Sequence, residues 1–300
     1  MKVLSFYNEK GGVGKSTFTI MYASWLKYQY GINVGVVDFN NREAIYRRDE
    51  IRQKEALGIK DKYNLDNLWP IVNADRLAIF EMERQHSVSP NAQWLEGEIR
   101  NGSLKGLDVL LVDLPGATNG REFIELLVLE MVGLWCLVID RDPQTLRAIF
   151  NVNKSIIKRK NQHWLGFINQ AQTYVSMKEY EKMSKIYMEA GLKILPDIIS
   201  FSERMKKISE PDIIRSTIEY PNWASDAFRG SRDLGTENLF IDITKELAKV
   251  PDFKGTKKTD LSFVDSLQKE FQEKRQLLNS SFPEYQFPAE MFPKTRLESK

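Results

Sequence analysis

Ten residues near the amino end, Asn8-Glu9-Lys10-Gly11-Gly12-Val13-Gly14-Lys15-Ser16-Thr17, constrain this 300-residue chain more than any other stretch. An apolar run, Val3-Leu4-Ser5-Phe6-Tyr7, leads in, and Phe18, Ile20, Met21, Ala23, Trp25 and Leu26 lead out at helical spacing. Strand, glycine-rich turn and helix in that order form the context of a phosphate-binding loop. Gly11, Gly12 and Gly14 let the backbone curl without Cβ clashes, so that successive N–H groups point inward as an anion-binding nest. The helix that starts near Lys15 adds free N–H groups and its positive dipole end. In such a loop Lys15 reaches the β- and γ-phosphates, and the Ser16 hydroxyl ligates Mg²⁺.

The ordinary loop carries glycine six residues before its lysine, and Glu9 stands there instead. A second lysine, Lys10, opens the glycine run. This pattern resembles the deviant Walker A motif of the ParA/MinD family of ATPases. The resemblance implies an α/β fold of the P-loop NTPase kind, a mostly parallel twisted sheet with helices on both faces. It also implies ATP and Mg²⁺ as cofactors and a homodimer formed on ATP binding. In that family the extra lysine, here Lys10, reaches the nucleotide bound by the other subunit.

Apolar residues make up 42% of the chain, enough for a full core, and charged residues 28%. The net charge of +2 gives no overall polyanion-binding character, so any DNA contact must come from local patches or from dimerisation. One cysteine, Cys136, lies in the apolar run Leu134-Trp135-Cys136-Leu137-Val138 and reads as a buried core thiol. A single cysteine points to a reducing compartment, and no stretch has signal-peptide or membrane-spanning character, so a cytoplasmic location is expected. His86 and His163 are too few and too isolated for a metal site.

Along the chain a helix is expected over 15–29, ended by Gly31, then a buried strand over Asn33 to Asp38. Residues 40–62 read as a solvated amphipathic helix, with a partner-binding helix as the alternative, 71–84 as strand then loop, and 91–100 as a helix broken at Asn101-Gly102. Leu107 to Asp113 is a second buried strand, followed by a helix over 121–131, a strand over 134–139 and a helix over 143–160. A strand over 164–169, a helix over 175–190, a strand over 192–199 interrupted at Pro196, and a helix over 238–250 complete the pattern. Alternating strands and helices mean a parallel sheet covered on both faces, with ligands at the carboxyl ends of the strands. Residues 1–250 then form one ATPase domain, and 251–300 a C-terminal extension of helix plus Pro- and aromatic-rich tail.

Asp113 closes its strand as a Walker B carboxylate does, and Pro115-Gly116 lets the chain turn around the γ-phosphate. Asp38-Phe39-Asn40 matches the family's first switch, which usually reads Asp-x-Asp. Asp38 takes the place of the first carboxylate, near the metal. Asn40 replaces the second, which orients the attacking water in relatives; an amide bonds a water but cannot accept its proton, so hydrolysis should be slow. Asn169 resembles the family's adenine-reading asparagine, and Pro196 falls in a segment resembling the loop that packs on the base. Val13 and Thr17 complete the loop contacts.

ParA-type members bind DNA nonspecifically through scattered basic residues. Candidates are Lys206, Lys207, Arg215, Arg229 and Arg232, with a second cluster at Lys154, Lys158, Arg159 and Lys160. MinD-type members dock on membrane by a C-terminal amphipathic helix. Here Leu261, Val264, Leu267, Phe271 and Leu278 share a face, but Asp265, Glu270 and Glu273 offset Lys269, Lys274 and Arg275. That balance suits packing on the protein's own body or on a dimer mate better than an anionic bilayer. The resemblance therefore implies a ParA-like ATPase serving partition of a plasmid, chromosome or conjugative element. A ParB-like or other protein would stimulate its hydrolysis, and the protein would be nucleoid-associated when on DNA. The rival readings are a weakly hydrolysing switch for a protein partner, a MinD-like positioning ATPase, and a phosphoryl- or amido-transfer enzyme on the same scaffold.

Overall fold

Seven strands lie side by side, every neighbouring pair parallel: β1 (Lys2–Tyr7), β2 (Val34–Asp38), β3 (Ile71–Asn73), β4 (Val109–Asp113), β5 (Leu134–Ile139), β6 (His163–Ala171) and β7 (Lys193–Ser200). Their order across the sheet is β3-β2-β4-β1-β5-β6-β7, which puts β1 at the centre. The coordinates are a computed structural model, which describes residues 1–39, 71–73, 92–102, 104–116, 130–140, 163–171, 177–189, 192–200 and 234–281. The helices expected over 40–62 and 143–160, most of that over 121–131, and the tail from 282 onward lie outside those residues.

The central strands are apolar on both faces, as a doubly covered parallel sheet demands. Leu4 and Phe6 of β1, Val109 and Leu111 of β4, and Leu134, Cys136 and Val138 of β5 feed one core. Val3 and Tyr7, Leu110 and Val112, and Trp135, Leu137 and Ile139 feed the other. Period-two alternation thus divides each strand between two apolar layers. On the first layer sit α1 (Lys15–Ser24) and α4 (Leu234–Lys249). The second receives Leu95 and Ile99 from α2 (Ala92–Asn101) and Tyr187 from α3 (Met177–Glu189).

Two local departures from expectation have physical causes. The helix expected over 15–29 is α-helical to Ser24 and π-helical over Trp25–Gln29. Its glycine cap is opened by one residue to match: the Gly31 N–H donates to Lys27 O at 3.0 Å and the Ile32 N–H to Leu26 O at 3.2 Å. The wider turn lets Trp25 stay in the core while Tyr30 turns to meet it at a 4.7 Å ring separation. β7 is not interrupted at Pro196; it runs on to Ser200 with extra residues between the Ile194 and Ile198 pairings. Proline has no N–H to give the ladder, and the irregularity absorbs it.

The chain after α4 crosses the amino ends of the strands. The Met1 ammonium bonds Asp252 Oδ1 at 2.9 Å and Thr256 Oγ1 at 2.7 Å, and the Thr259 hydroxyl donates to Asp108 O at 2.9 Å. Leu261 and Val264 then enter the first core, at the start of α5 (Phe263–Ser281), while Asp265, Ser266, Lys269 and Glu270 face water. Among the described residues no helix is long and apolar enough to cross a membrane.

Candidate functional site

The glycine loop leaves the central strand β1 and turns straight into α1, so its backbone sits at the carboxyl edge of the sheet. Gly14 holds φ at 104° and precedes the first helical residue, Lys15. A side chain at Gly14 would be strained by that angle and would also meet Asn169 Nδ2 at 2.8 Å. No side chain caps α1, and its first turn contains no acid. The helix therefore starts with backbone donors and no competing negative charge.

Three side chains converge under this loop. The Lys15 ammonium, only 6% exposed by residue, donates to Lys10 O at 2.9 Å. Burial lowers its proton affinity more than the neighbouring Asp113 restores it. The Ser16 hydroxyl donates to Asp113 Oδ2 at 2.7 Å. Asp113 is fully buried and ends β4, which pairs with β1. The turn after it brings Gly116 against the loop: a Cβ there would lie 2.7 Å from Gly11 Cα and 3.1 Å from Lys15 Nζ. Glycine at 116 is thus demanded by close backbone approach.

Lys10 is half-exposed, and its ammonium forms an ion pair at 2.7 Å with Asp140, the residue after β5. Asn8 shapes the loop's entry: its amide donates to Val138 O at 2.7 Å and its carbonyl accepts from the Lys10 N–H at 2.8 Å. Sequence reasoning places Asn8 at the head of the loop stretch without giving it a role, and does not reach Asp140. Asn8 carried a signal, since asparagine commonly bonds its own backbone two residues on. Asp140 carried none, because only the β1–β5 pairing makes it a neighbour of the loop.

Asp38 ends β2 and is paired in register with Asp113, so the two acids close adjacent strands. Asn40 and the basic candidates Lys206, Lys207, Arg215, Arg229, Arg232, Lys154, Lys158, Arg159 and Lys160 lie outside the described residues. Asn169 is buried in β6, and its amide donates to Val13 O at 2.7 Å. Pro196 is half-buried in the irregular part of β7. Val13 is buried and Thr17 half-buried. Lys10, Lys15, Ser16, Asp113, Gly116 and Asn169 therefore all gather about one loop.

The family model described as ATPase MipZ matches residues 2–123, a span that contains the loop, Asp38, Asp113 and Gly116. Among solved structures, apo McdA from Cyanthece is 17% identical, with 79% of this chain and 98% of that one covered at a TM-score of 0.51. The MinC:MinD cell division complex of Aquifex aeolicus is 15% identical, with 85% and 99% covered at a TM-score of 0.48. A putative plasmid partition protein of Borrelia burgdorferi B31 bound to AMPPNP is 16% identical, with 72% and 96% covered at 0.48. The likeness to McdA shows the shared α/β fold. The family-model match thus covers the loop, the second lysine and both strand-end acids, and the fold is the α/β one shared with McdA.

Proposed function

We propose that this protein is an ATP-hydrolysing switch that dimerises on ATP and serves the partition, segregation or transfer of a DNA element. The observation that carries the reading is the convergence of Lys15, Ser16 and Asp113 beneath a glycine loop against which Gly116 closes. Loop N–H groups and the Lys15 ammonium hold the triphosphate. The Ser16 hydroxyl and the Asp113 carboxylate, already 2.7 Å apart, are the hard oxygen donors that suit Mg²⁺ beside phosphate and water. When bound, the cation neutralises phosphate charge. Gly116 packs so closely on the loop that a Cβ added there would stand 2.7 Å from Gly11 Cα, which sets its backbone beside the phosphate nest.

Lys10 is the residue we assign to the partner subunit's nucleotide, and to reach it the lysine must leave Asp140. Asp38 and Asn40 form the hydrolytic corner. The Asn40 amide orients a water without taking its proton, which makes turnover slow. Lys206, Lys207, Arg215, Arg229 and Arg232 supply nonspecific DNA contacts in the dimer, with affinity falling steeply as salt rises. A ParB-like protein would accelerate hydrolysis and release the DNA.

Sizing the protein with and without ATP and duplex DNA tests the whole scheme. We expect ATP to double the mass and DNA to bind only the doubled form. Lys15→Ala should weaken ATP binding about ten- to a hundredfold, the worth of a charge-assisted bond. Asn40→Asp should raise turnover. A protein that stays monomeric with saturating ATP, or an Asn40→Asp variant no faster than the parent, refutes the corresponding step.

A further inference from the structure

Asn169 lies 153 positions beyond Ser16 in the chain, yet it touches the phosphate loop directly. Its side-chain N–H₂ donates to the carbonyl of Val13, at the crest of the loop. The same nitrogen lies 2.8 Å from where a Gly14 Cβ would stand, so loop and amide are in close contact. Both partners are buried, Asn169 at 5% and Val13 at 2% exposed. Two residues earlier in β6, the Phe167 ring meets the Phe18 ring of α1 edge-on, 4.8 Å between centroids and 75° between planes. The Phe18 ring in turn lies about the Gly14 position. The end of β6 is thus fixed to the loop through a polar contact at its crest and an aromatic one behind it. β6 is also irregular on both sides of Ile168 in its pairing with β7, which frees Asn169 from strict ladder geometry.

Resting on the nucleotide reading above, we infer that Asn169 is a positioning residue for the phosphate loop, in addition to any contact it makes with a base. Its bond ties the Val13 carbonyl to the end of β6. A carbonyl that swung inward would set a negative oxygen against the phosphates and remove the curl that aligns the Gly12 and Gly14 N–H groups. The contact also orients the amide itself: with its nitrogen on a carbonyl, its oxygen is the end left to accept from a ligand. One side chain therefore couples the base side of the pocket to its phosphate side.

Tripolyphosphate, which has phosphates but no base, separates this role from base reading. The probes are tripolyphosphate and ATP, each binding the full-length protein with Mg²⁺, for wild type, Asn169→Ala and Asn169→Asp. We expect Asn169→Ala to lose about tenfold in tripolyphosphate affinity, the effect of a buried carbonyl left without its donor. Asn169→Asp should lose more at pH 8.5, where carboxylate faces carbonyl. It should recover relative to wild type as the pH falls toward 5, when a protonated carboxyl again donates to Val13 O. That recovery is not expected of a merely structural lesion. Amide hydrogen exchange of residues 10–15 in the ligand-free variants should quicken while β1 stays protected, a readout that needs no ligand. Unchanged tripolyphosphate affinity and loop exchange in both variants, with ATP binding weakened, would make Asn169 a base reader alone and overturn the proposal. Wild type that binds neither probe overturns the nucleotide reading and this role with it.

Discussion

At the residue scale the loop's two lysines have opposite surroundings. Lys15 is buried and bonded inside its own loop, whereas Lys10 is half-exposed and held by a carboxylate from the next strand. The Lys10–Asp140 pair is partly open to solvent, so its strength is modest and screened by salt, on the order of 0–1 kcal/mol. If Lys10 must leave this pair to reach a partner's nucleotide, Asp140→Asn removes a competitor. The expected outcome is ATP-dependent dimerisation tighter by up to about fivefold in low salt, the advantage fading as salt rises. Sedimentation equilibrium with ATP over a salt series measures it, and weaker dimerisation would show that Asp140 helps the assembled state instead. Asn8 and Asp140 also mark where sequence reading ends at this scale. Lys10, Lys15 and Asp113 announce themselves by spacing within a motif, while Asp140 matters only through strand pairing.

At the element scale α1 is the connection between loop and core. Its Phe18, Tyr22 and Trp25 rings face Phe240 of α4 at centroid separations of 6.5, 5.1 and 5.7 Å. A buried hydroxyl pair, Tyr22 with Thr244 at 2.7 Å, adds a polar tie across the same interface. Burial pushes the Tyr22 phenol far above its ordinary proton affinity, the bond to Thr244 offsetting only part of that, so the tie stays neutral at any working pH. Phe240→Ala should cost about 3–5 kcal/mol in urea unfolding, because the hole lies between three rings that cannot collapse into it together. A loss below about 1 kcal/mol would mean that α4 is not seated on α1 as described. The period of apolar residues made α1 and α4 legible as helices. It could not foretell the π turn at Trp25–Gln29, which depends on where Trp25 and Tyr30 must both be placed.

At the scale of the whole molecule the two edges of the sheet carry different duties. The carboxyl ends of β1, β4, β5 and β6 hold the candidate site, and the amino ends are closed by the segment that follows α4. Asp252 anchors that closure. Burial alone would raise its proton affinity, but bonds from the Met1 ammonium and the Thr259 N–H, with the Lys2 charge nearby, hold it below the usual carboxylate range. A carboxyl depressed on folding stabilises the folded state above its unfolded value near pH 3.9 and loses that contribution as the pH drops through the folded value. Asp252→Asn should therefore melt earlier than wild type at neutral pH, and the gap should close as the pH falls below about 4. Thermal melts across that range check it; a gap that persists unchanged into acid would assign the effect to packing rather than charge.

What the sequence by itself determined is everything written in local spacing. The loop, the strand–helix alternation, the strand-ending acids Asp38 and Asp113 and the parallel α/β class all follow from periods of two and 3.6 residues and from glycine chemistry. What only the tertiary structure decided is adjacency between distant positions. Asp140 against Lys10, Asn169 against Val13, Gly116 against Gly11 and Asp252 against the Met1 ammonium are such pairs. Strand order is settled by the packing of whole layers, and a side chain's position in the sequence does not say which strand end will stand beside it.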